Sequence, residues 1–298
     1  MATRRKGPDE NRKRLAAERA AEARRRIAEE QRRRRMITVA GAVVAIVVVV
    51  AVFVVVKVVS DGTARKSGTK ATAAGAAVTT QIATIPNSVF NTIKLGDARA
   101  APKPTTGAPL TGDGKPRVLF VGAEWCPFCA AERWPLAVAL ERFGDLHNLQ
   151  EVSSSPDDSY PDTASLGFSG STYTSSYLAF TGKELESNQV SGGKYTKLDT
   201  LTSSDKALYE KKANGYPFID LGGSSLIEGA QYDPAVLKGK TQAEIAAALA
   251  RPTTSISLGI VGSANLITAK LCTLTNGAPA AVCSSSGVRA AAAALPTE

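Results

Sequence analysis

Two cysteines separated by two residues are the feature of this chain best suited to chemistry. They are Cys126 and Cys129, in the string Trp-Cys-Pro-Phe-Cys at 125–129, and the apolar run 118–123 ends three positions before Cys126. The run predicts a buried strand, and Pro127 suits the first turn of a helix because its φ is already helical and its missing N–H costs nothing there. The sequence therefore predicts a strand that delivers two thiols to a helix N-terminus.

Thiols in this position are expected to be reactive. Unpaired backbone N–H groups and the positive end of the helix dipole both stabilise a thiolate at a helix N-terminus. We therefore predict that Cys126 is the nucleophile and that Cys129, one turn further on, resolves a mixed disulfide by attacking the Cys126 sulfur. Because Phe128 adds no cationic group between the cysteines, we expect Cys126 to be only moderately acidic.

Two other roles are open to cysteines with this spacing. A structural zinc site needs about four ligands, but His147 is the only histidine and the remaining cysteines, Cys272 and Cys283, are distant in sequence. A purely structural disulfide across two intervening residues would close too small a loop to restrict the unfolded chain much. Redox chemistry is favoured over both, and neither a metal nor a cofactor is expected.

An apolar run near the N-terminus predicts a membrane anchor. Residues 36–56 are all apolar, glycine or threonine, which is long enough for a helix to cross a bilayer core of about 30 Å, and we place the span at 36–59. The apolar region of a cleaved signal peptide is shorter, about 7 to 15 residues, so an uncleaved anchor is favoured. The 35 preceding residues hold fourteen Lys or Arg and six Asp or Glu, which predicts a cytoplasmic N-terminus and an extracytoplasmic C-terminal domain at the cell membrane.

Most of the net charge belongs to this N-terminal arm. The arm contributes 14 minus 6, or +8, of the formal net charge of +9. The rest of the chain is almost neutral, which argues against a nucleic acid as its partner. Disulfides form and persist outside the membrane. The expected partners are therefore protein thiols and disulfides of the cell envelope, together with a membrane redox partner.

Composition divides the chain into five segments, which are a basic cytoplasmic arm 1–35, a transmembrane helix 36–59, a flexible linker 60–80, a folded domain 81–272 and a C-terminal tail 273–298. The linker is rich in Ala, Gly, Thr, Ser and Lys and has no apolar periodicity. Within the domain, patterns predict a strand and a short helix in 81–95, a helix over 127–143, an inserted Ser- and Tyr-rich segment at about 153–200 with one strand at 177–180, a helix over 204–212, a strand from Pro217 with a hairpin partner at 225–228, and helices over 241–250 and 256–271.

The dithiol string and a later Tyr216-Pro217-Phe218 string before a hairpin together resemble the thioredoxin-like superfamily, including the envelope disulfide oxidoreductases. The string Gly-Ala-Glu-Trp-Cys-Pro-Phe-Cys-Ala-Ala-Glu-Arg-Trp is also similar to an uncharacterised family of membrane-anchored, thioredoxin-like proteins of prokaryotes. The resemblance implies an α/β fold with a thioredoxin-like central sheet flanked by helices, an inserted segment, and a single N-terminal transmembrane helix. It further implies that the peptide bond before Pro217 is cis and that Tyr216 and Trp125 bind substrate.

The chain departs from the thioredoxin pattern at the proton relay. Thioredoxin has a buried carboxylate six residues before its first cysteine, and Phe120 occupies that position here. Glu124 is the candidate replacement, although a carboxylate in a loop is more often exposed to solvent. About 88 residues separate Cys129 from Pro217, many more than in thioredoxin, which implies the insertion.

A second pair of cysteines lies near the C-terminus. Cys272 and Cys283 flank a turn-like stretch that contains Asn276, Gly277 and Pro279. The simplest interpretation is a structural disulfide that contributes about 2 to 3 kcal/mol. A second redox relay is the alternative.

Together these patterns predict a membrane-tethered, extracytoplasmic thiol-disulfide oxidoreductase that acts on envelope or secreted proteins through its Cys-Pro-Phe-Cys dithiol. The alternative is a thioredoxin-like binding or scaffold protein in which Cys126 and Cys129 stay permanently oxidised. Copper delivery is a weaker third hypothesis, because no histidine or methionine lies near the dithiol. The direction of electron flow depends on the reduction potential and the partner.

Overall fold

The structure is a computed structural model that describes residues 65–296, and this part of the chain is a mixed α/β fold. Its strands are β1 Thr72–Ala73, β2 Lys103–Pro104, β3 Thr111–Gly112, β4 Lys115–Gly122, β5 Asp145–His147, β6 Gln150–Ser153, β7 Ala164–Gly167, β8 Thr172–Thr174, β9 Ala179–Glu184, β10 Glu186–Ser191, β11 Lys194–Lys197, β12 Phe218–Leu221 and β13 Ser225–Glu228. Its helices are α1 Ala76–Ala83, α2 Asn87–Ile93, α3 Pro127–Leu140, α4 Ser203–Lys212, α5 Gln242–Leu249, α6 Ser255–Leu274, α7 Ala280–Cys283 and α8 Ser286–Ala292.

Four strands form the centre of the largest sheet, in the order β9, β4, β12, β13. β9 is parallel to β4, whereas β12 is antiparallel both to β4 and to its hairpin partner β13. The short strands β2 and β3 pair with β13 and with the beginning of β4. The helix that carries the dithiol, α3, follows β4 in the chain and precedes β9, so the sheet and this helix form one β-α-β unit with parallel strands.

Side chains alternate between the two faces of β4, as expected for a strand that is covered on both sides. Val118 and Phe120 belong to the main hydrophobic core, which also contains Trp134 of α3 and Ile260 of α6. Leu119 and Val121 face a smaller cluster on the other side, where Phe218 and side chains of α4 pack against them. The dithiol is therefore positioned by a strand that is fixed on both faces.

The helix α6 is the longest of the described helices and forms the centre of the core. It is the single described helix that is long and apolar enough to span a bilayer, and 89% of its most apolar window is buried inside the protein. It packs against α2, α3, α5 and α8. In this fold α6 is thus a core helix.

Several predicted elements are confirmed by the structure. The strand before the dithiol is β4, the dithiol helix is α3, and the helix predicted over 204–212 is α4. The predicted hairpin is formed by β12 and β13, and the two predicted closing helices correspond to α5 and α6. The basic arm 1–35, the predicted transmembrane helix 36–59 and the first residues of the predicted linker lie outside the described residues.

The stretch from Arg65 to Ile93 differs from its prediction. We expected a flexible linker up to residue 80 and then a strand and a short helix in 81–95. Instead β1 pairs with β6, and two short helices, α1 and α2, follow, so a helix is present but the predicted strand is not. Backbone contacts order the residues before β1: the Gly68 N–H donates to the Asn188 carbonyl at 2.9 Å. The apolar residues of 78–93 are spaced for short helices whose buried sides join the core.

The Ser- and Tyr-rich segment 153–200 also differs from its prediction. Besides the last residue of β6, it contains five described strands, β7 to β11. One of them, β9, begins at Ala179 and belongs to the central sheet. The sequence predicted one strand near this position but not its partner. Pairing of β9 with β4 joins residues about sixty positions apart, which local patterns do not encode.

The C-terminal tail packs on the folded domain. The helix α8 packs on α6, and its Val288 and Ala291 side chains are buried. Cys272 at the end of α6 and Cys283 of α7 form a disulfide, with their Cα atoms 5.6 Å apart. The tail is therefore part of the same helical layer as α6.

Candidate functional site

The first turn of α3 holds the two thiols in the predicted arrangement. Cys126 is the N-cap residue of α3, and Pro127 is in the first turn. The backbone N–H of Cys129 donates to the Cys126 Sγ at 3.2 Å. Both cysteines are free thiols, and their exposed fractions are 4% for Cys126 and 0% for Cys129. Cys126 is thus the more accessible sulfur, and Cys129 lies behind it.

The surroundings of the two sulfurs separate their acidities. The pKa of Cys126 is lowered, first by a hydrogen bond from the Cys129 side chain and then by the backbone N–H of Cys129 and the charge of Arg133, against the opposing effect of burial. Burial raises the pKa of Cys129 well above its usual range, and the neighbouring Cys126 sulfur raises it further. The thiolate therefore forms preferentially on Cys126, which is the order that a nucleophile and a resolving thiol require.

A glycine at the end of β4 allows the dithiol to lie close to the sheet. A Cβ atom at Gly122 would lie 2.6 Å from the Phe120 ring and 3.1 Å from the Cys129 Sγ. Contacts of this kind force neighbouring groups to move. The absence of a side chain at Gly122 therefore lets Cys129 pack directly against β4 and Phe120.

A fully buried ion pair lies next to the thiols. The Arg133 guanidinium donates from Nε and Nη2 to the two carboxylate oxygens of Glu184, both at 2.7 Å, and Nη2 also donates to the Ala123 carbonyl at 2.7 Å. Both side chains are 0% exposed. These hydrogen bonds use most of the N–H donors of the buried guanidinium. They offset the free-energy cost of removing both charges from water.

Glu124, the candidate proton relay, is not an exposed loop carboxylate. Its side chain is 2% exposed, and its Oε2 accepts from the backbone N–H of Asn188 at 3.1 Å. Burial raises the pKa of this carboxyl, and the nearby carboxylate of Glu184 raises it further. A carboxyl group beside a thiol is able to accept and release a proton, and the role of Glu124 as the relay remains a prediction.

Trp125, which directly precedes Cys126, packs against two tyrosine rings. Trp125 stacks on Tyr195 with the ring centroids 5.1 Å apart, and it makes an edge-to-face contact with Tyr216 with the ring centroids 6.1 Å apart. The Trp125 Nε1–H donates to the Glu186 carboxylate at 2.8 Å. The rings of Trp125, Tyr195 and Tyr216 are partly exposed, so they offer an apolar surface that an unfolded or extended polypeptide is able to contact. We call Trp125, Tyr195 and Tyr216 the aromatic surface.

The loop before β12 brings Tyr216 to this surface. The bond between Tyr216 and Pro217 is cis, as the resemblance implies. Tyr216 also stacks on Tyr209 of α4, with the ring centroids 6.1 Å apart. A pocket of about 400 Å³ continues from this point, and its walls include Leu185, Leu201 and both tyrosines. The aromatic surface is therefore continuous with a concave region lined partly by the segment 153–200.

The beginning of the described chain lies against the same surface. The Arg65 guanidinium carbon is 5.2 Å from the centroid of the Tyr195 ring, and the Tyr195 hydroxyl donates to the Ser155 hydroxyl at 2.8 Å. The Ser155 N–H in turn donates to the Trp125 carbonyl at 2.8 Å. These contacts fix the Tyr195 ring in its position beside Trp125.

The structure thus brings together Cys126, Cys129, Trp125, Glu124 and Tyr216, which are five of the predicted site residues. The pair formed by Cys272 and Cys283 belongs to other elements, α6 and α7. The sequence analysis missed three residues of the site, which are Arg133, Glu184 and Tyr195. Only Arg133 carried a signal, because it and its neighbour Glu132 are the two charged residues of a helix that is otherwise apolar. Its partner Glu184 is 51 positions away.

A family model described as a domain of unknown function (DUF929) matches residues 105–197. This range contains β4, the dithiol, Arg133, Glu184 and Tyr195, and it ends before Tyr216. No curated protein and no solved structure matches the chain.

Proposed function

We propose that the protein is a membrane-tethered, extracytoplasmic thiol-disulfide oxidoreductase that acts on envelope or secreted proteins. The observation that carries the proposal is the position of Cys126 as the N-cap of α3, where its sulfur accepts the Cys129 N–H. A thiol in this place has a lowered pKa, is the more accessible of the two sulfurs, and has a second thiol within reach. These are the properties of an exchange-active dithiol.

The topology supports a thioredoxin-like fold for this site. A dithiol helix connects two parallel strands, β4 and β9, and a hairpin of β12 and β13 completes the order β9, β4, β12, β13. The cis bond before Pro217 leads into β12, next to the strand that delivers the dithiol. The parallel pair that flanks the dithiol helix and the antiparallel hairpin beside it support the proposed thioredoxin-like fold.

In the proposed mechanism the Cys126 thiolate attacks a disulfide of the substrate protein. A Cys126–substrate disulfide forms, and the other substrate sulfur leaves as a thiolate. Cys129 then loses its proton and attacks the Cys126 sulfur, which releases the second substrate thiolate and leaves the Cys126–Cys129 disulfide. Two electrons pass to the substrate, and the reverse sequence oxidises a substrate dithiol. Glu124 is the group proposed to accept the Cys129 proton.

The proposed location follows from the predicted anchor and from the second cysteine pair. The span at 36–59 and the basic arm at 1–35 predict that the domain lies outside the cytoplasmic membrane. The disulfide between Cys272 and Cys283 is consistent with an oxidising compartment. Trp125 and Tyr216 are proposed to contact the substrate polypeptide on the aromatic surface.

The proposal is tested with the detergent-solubilised full chain in an insulin-reduction assay that contains dithiothreitol. The unmodified chain is expected to accelerate reduction, and Cys126→Ser is expected to remove the acceleration. Cys129→Ser is expected to accumulate a mixed disulfide with the substrate, because the resolving thiol is missing. Full activity of Cys126→Ser would refute the proposal, and a dithiol that no reductant opens would favour the scaffold alternative.

Location has its own test in cells that express the full chain. A membrane-impermeant maleimide added after mild reduction is expected to label the chain in intact cells. Labelling that appears only after the cells are lysed would contradict an extracytoplasmic domain. The Cys126→Ser variant is the matched control, because Cys129 is fully buried and should remain unlabelled in the folded protein.

A further inference from the structure

A second pocket lies at the opposite end of the dithiol helix from the two thiols. Its volume is about 380 Å³, and it is formed by the loop between α1 and α2, the end of α3 and Val282 of α7. Glu141 and Arg142 line this pocket, directly after the last turn of α3, whose first turn carries Cys126. At 1.5 Å per residue, the two ends of α3 are about 20 Å apart. The pocket is therefore separate from the dithiol site.

Arg142 brings to this pocket a guanidinium whose acceptors, in the part of the chain that the structure describes, are all uncharged. Its Nη1 donates to Asn265 Oδ1 at 3.1 Å and to Thr268 Oγ1 at 3.3 Å, and its Nη2 donates to Ser285 Oγ at 3.5 Å. Its Nε is buried and has no hydrogen-bond partner among the described residues. The guanidinium carbon lies 4.0 Å from the centroid of the Phe90 ring, which also lines the pocket. Charges removed from water are normally paired, so an anionic ligand would complete this environment.

Glu141 brings a carboxyl group that has a single hydrogen-bond donor among the described residues. Its Oε1 accepts from the Leu146 N–H at 2.9 Å. Consecutive side chains at the end of a helix point about 100° apart, so Glu141 and Arg142 do not face each other. Burial raises the pKa of Glu141 to about 7 and lowers that of Arg142 to about 10, whereas an ion pair between them would shift both values the opposite way. The pocket is thus lined by two opposite charges that do not neutralise each other.

We propose that this pocket binds a small zwitterion, whose anionic group contacts Arg142 and whose ammonium group contacts Glu141. Part of the remaining wall, which includes Ile85, Pro86 and Phe90, is apolar and contacts an apolar portion of the ligand. The volume is near the lower limit of the range of about 300 to 1,000 Å³ that is typical of ligand pockets. An amino acid with an aliphatic side chain has these groups and this size. The headgroup of a zwitterionic lipid carries the same two charges, so the experiment compares both sources.

Binding is measured by isothermal titration calorimetry on the full chain in a non-ionic detergent at about pH 8, where the Glu141 carboxyl, with its pKa of about 7, is mostly ionised. L-Leucine is the amino-acid probe, and it is expected to saturate the chain with a Kd below about 1 mM, which a ligand of about nine non-hydrogen atoms is able to reach. Isocaproate is leucine without its amino group, and isoamylamine is leucine without its carboxylate. Both are expected to bind at least about tenfold more weakly than leucine, because each leaves one of the two charges of the pocket unpaired. Glycerophosphoethanolamine is the headgroup probe, and glycerol phosphate and ethanolamine are its single-charge analogues.

Two variants remove the charges of the pocket one at a time. Arg142→Met keeps most of the side-chain length without the positive charge, and Glu141→Gln keeps a hydrogen-bond acceptor without the negative charge. Each is expected to weaken binding of the zwitterion at least about tenfold. Arg99→Met is the matched control, because it removes an arginine that pairs with Asp233 at 3.0 Å in another part of the surface, and its affinity should be unchanged. Cys126→Ser should also bind the zwitterion like the unmodified chain, because the inference does not depend on the proposed function.

Each outcome supports or overturns the zwitterion site. Saturable binding of leucine that both charge variants weaken supports a site for a free amino acid, and the same result with glycerophosphoethanolamine alone assigns the site to a lipid headgroup. If neither zwitterion saturates the chain, or if the single-charge analogues bind equally well, the inference is overturned. Unchanged affinity in folded Arg142→Met or in folded Glu141→Gln overturns it as well. If a variant does not fold, as judged by circular dichroism, the comparison of each zwitterion with its analogues on the unmodified chain still decides the question.

Discussion

The two cysteine pairs of this protein are placed in opposite physical settings. Cys126 and Cys129 begin a helix, face its unpaired N–H groups, and lie next to a buried guanidinium. Cys272 lies in the last turn of a helix, and its disulfide to Cys283 closes a short loop between α6 and α7. The first pair is surrounded by groups that stabilise a thiolate, whereas the second pair joins two helical elements at the edge of the fold.

The comparison shows that spacing alone does not assign a role to a cysteine pair. A disulfide between cysteines that are separated by two residues forms easily. It restricts the unfolded chain little, so it contributes little to the free energy of unfolding. Separation by eleven positions restricts the unfolded chain more, and the Cys272–Cys283 pair has that separation. We therefore expect chemistry from the first pair and stability from the second, and the following changes test this division.

The largest expected effect is the loss of exchange in Cys126→Ser. A hydroxyl is a far weaker nucleophile than a thiolate at neutral pH, so the rate of insulin reduction should fall by at least about 1000-fold, to the uncatalysed background. The thermal unfolding midpoint should change little, because the substitution is nearly isosteric. A residual catalysed rate above a tenth of the original would show that Cys126 is not the nucleophile.

The opposite pattern is expected for Cys272→Ser/Cys283→Ser. Loss of this cross-link should lower the free energy of unfolding by about 2 to 3 kcal/mol, which for a domain of this size lowers the unfolding midpoint by about 4 to 12 °C. Exchange per folded molecule should be unchanged at a temperature where the variant is folded. A large loss of exchange with no loss of stability would instead indicate the redox relay.

Gly122→Ala should disturb the dithiol through packing. The added methyl group would lie 2.6 Å from the Phe120 ring and 3.1 Å from the Cys129 Sγ, so we expect a loss of about 1 to 3 kcal/mol of stability. The equilibrium constant with glutathione should change as well, because Cys129 is displaced. The matched control is Gly114→Ala. A Cβ at Gly114 would meet no atom within 4 Å, but the residue has a positive φ of 74°. This variant should lower the free energy of unfolding without changing the equilibrium constant with glutathione.

Removal of the Trp125 ring should affect substrate proteins more than small thiols. Trp125→Ala deletes the ring between Tyr195 and Tyr216, and we expect the KM for a protein substrate to rise by about tenfold, as for the loss of an aromatic anchor worth more than 1 kcal/mol. The rate of exchange with glutathione should stay within about threefold. Equal losses for both substrates would contradict a role of Trp125 in binding polypeptides.

The pH dependence of alkylation provides the finest distinction. The pKa of Cys126 is lowered, chiefly by the hydrogen bond from Cys129, so its rate of reaction with iodoacetamide should rise with pH and reach half its maximum below the value of about 8.5 that is typical of a free cysteine. The raised pKa of buried Cys129 predicts no labelling over the same range. A half-maximum above that of free cysteine would contradict the assigned order of the two thiols.

The parts of the fold and of the site that could be predicted from the sequence are those formed by residues close together in the chain. Contacts between residues far apart in the chain could not be predicted. The dithiol, its strand and its helix are adjacent in sequence, and local patterns predicted all three. The Arg133–Glu184 pair, the stacking of Tyr195 on Trp125 and the pairing of β9 with β4 join residues 51 to 70 positions apart. Such contacts result from packing of the whole domain, so neither local propensity nor spacing indicates them.

The most direct test of the central claim is differential alkylation of the full chain, followed by mass spectrometry, after equilibration with glutathione mixtures of increasing reducing strength. We predict that Cys126 and Cys129 change together from disulfide to dithiol across the series, while Cys272 and Cys283 stay oxidised in the folded protein. If the first pair never changes state, or if the second pair opens before it, the division between a reactive and a structural cysteine pair is contradicted.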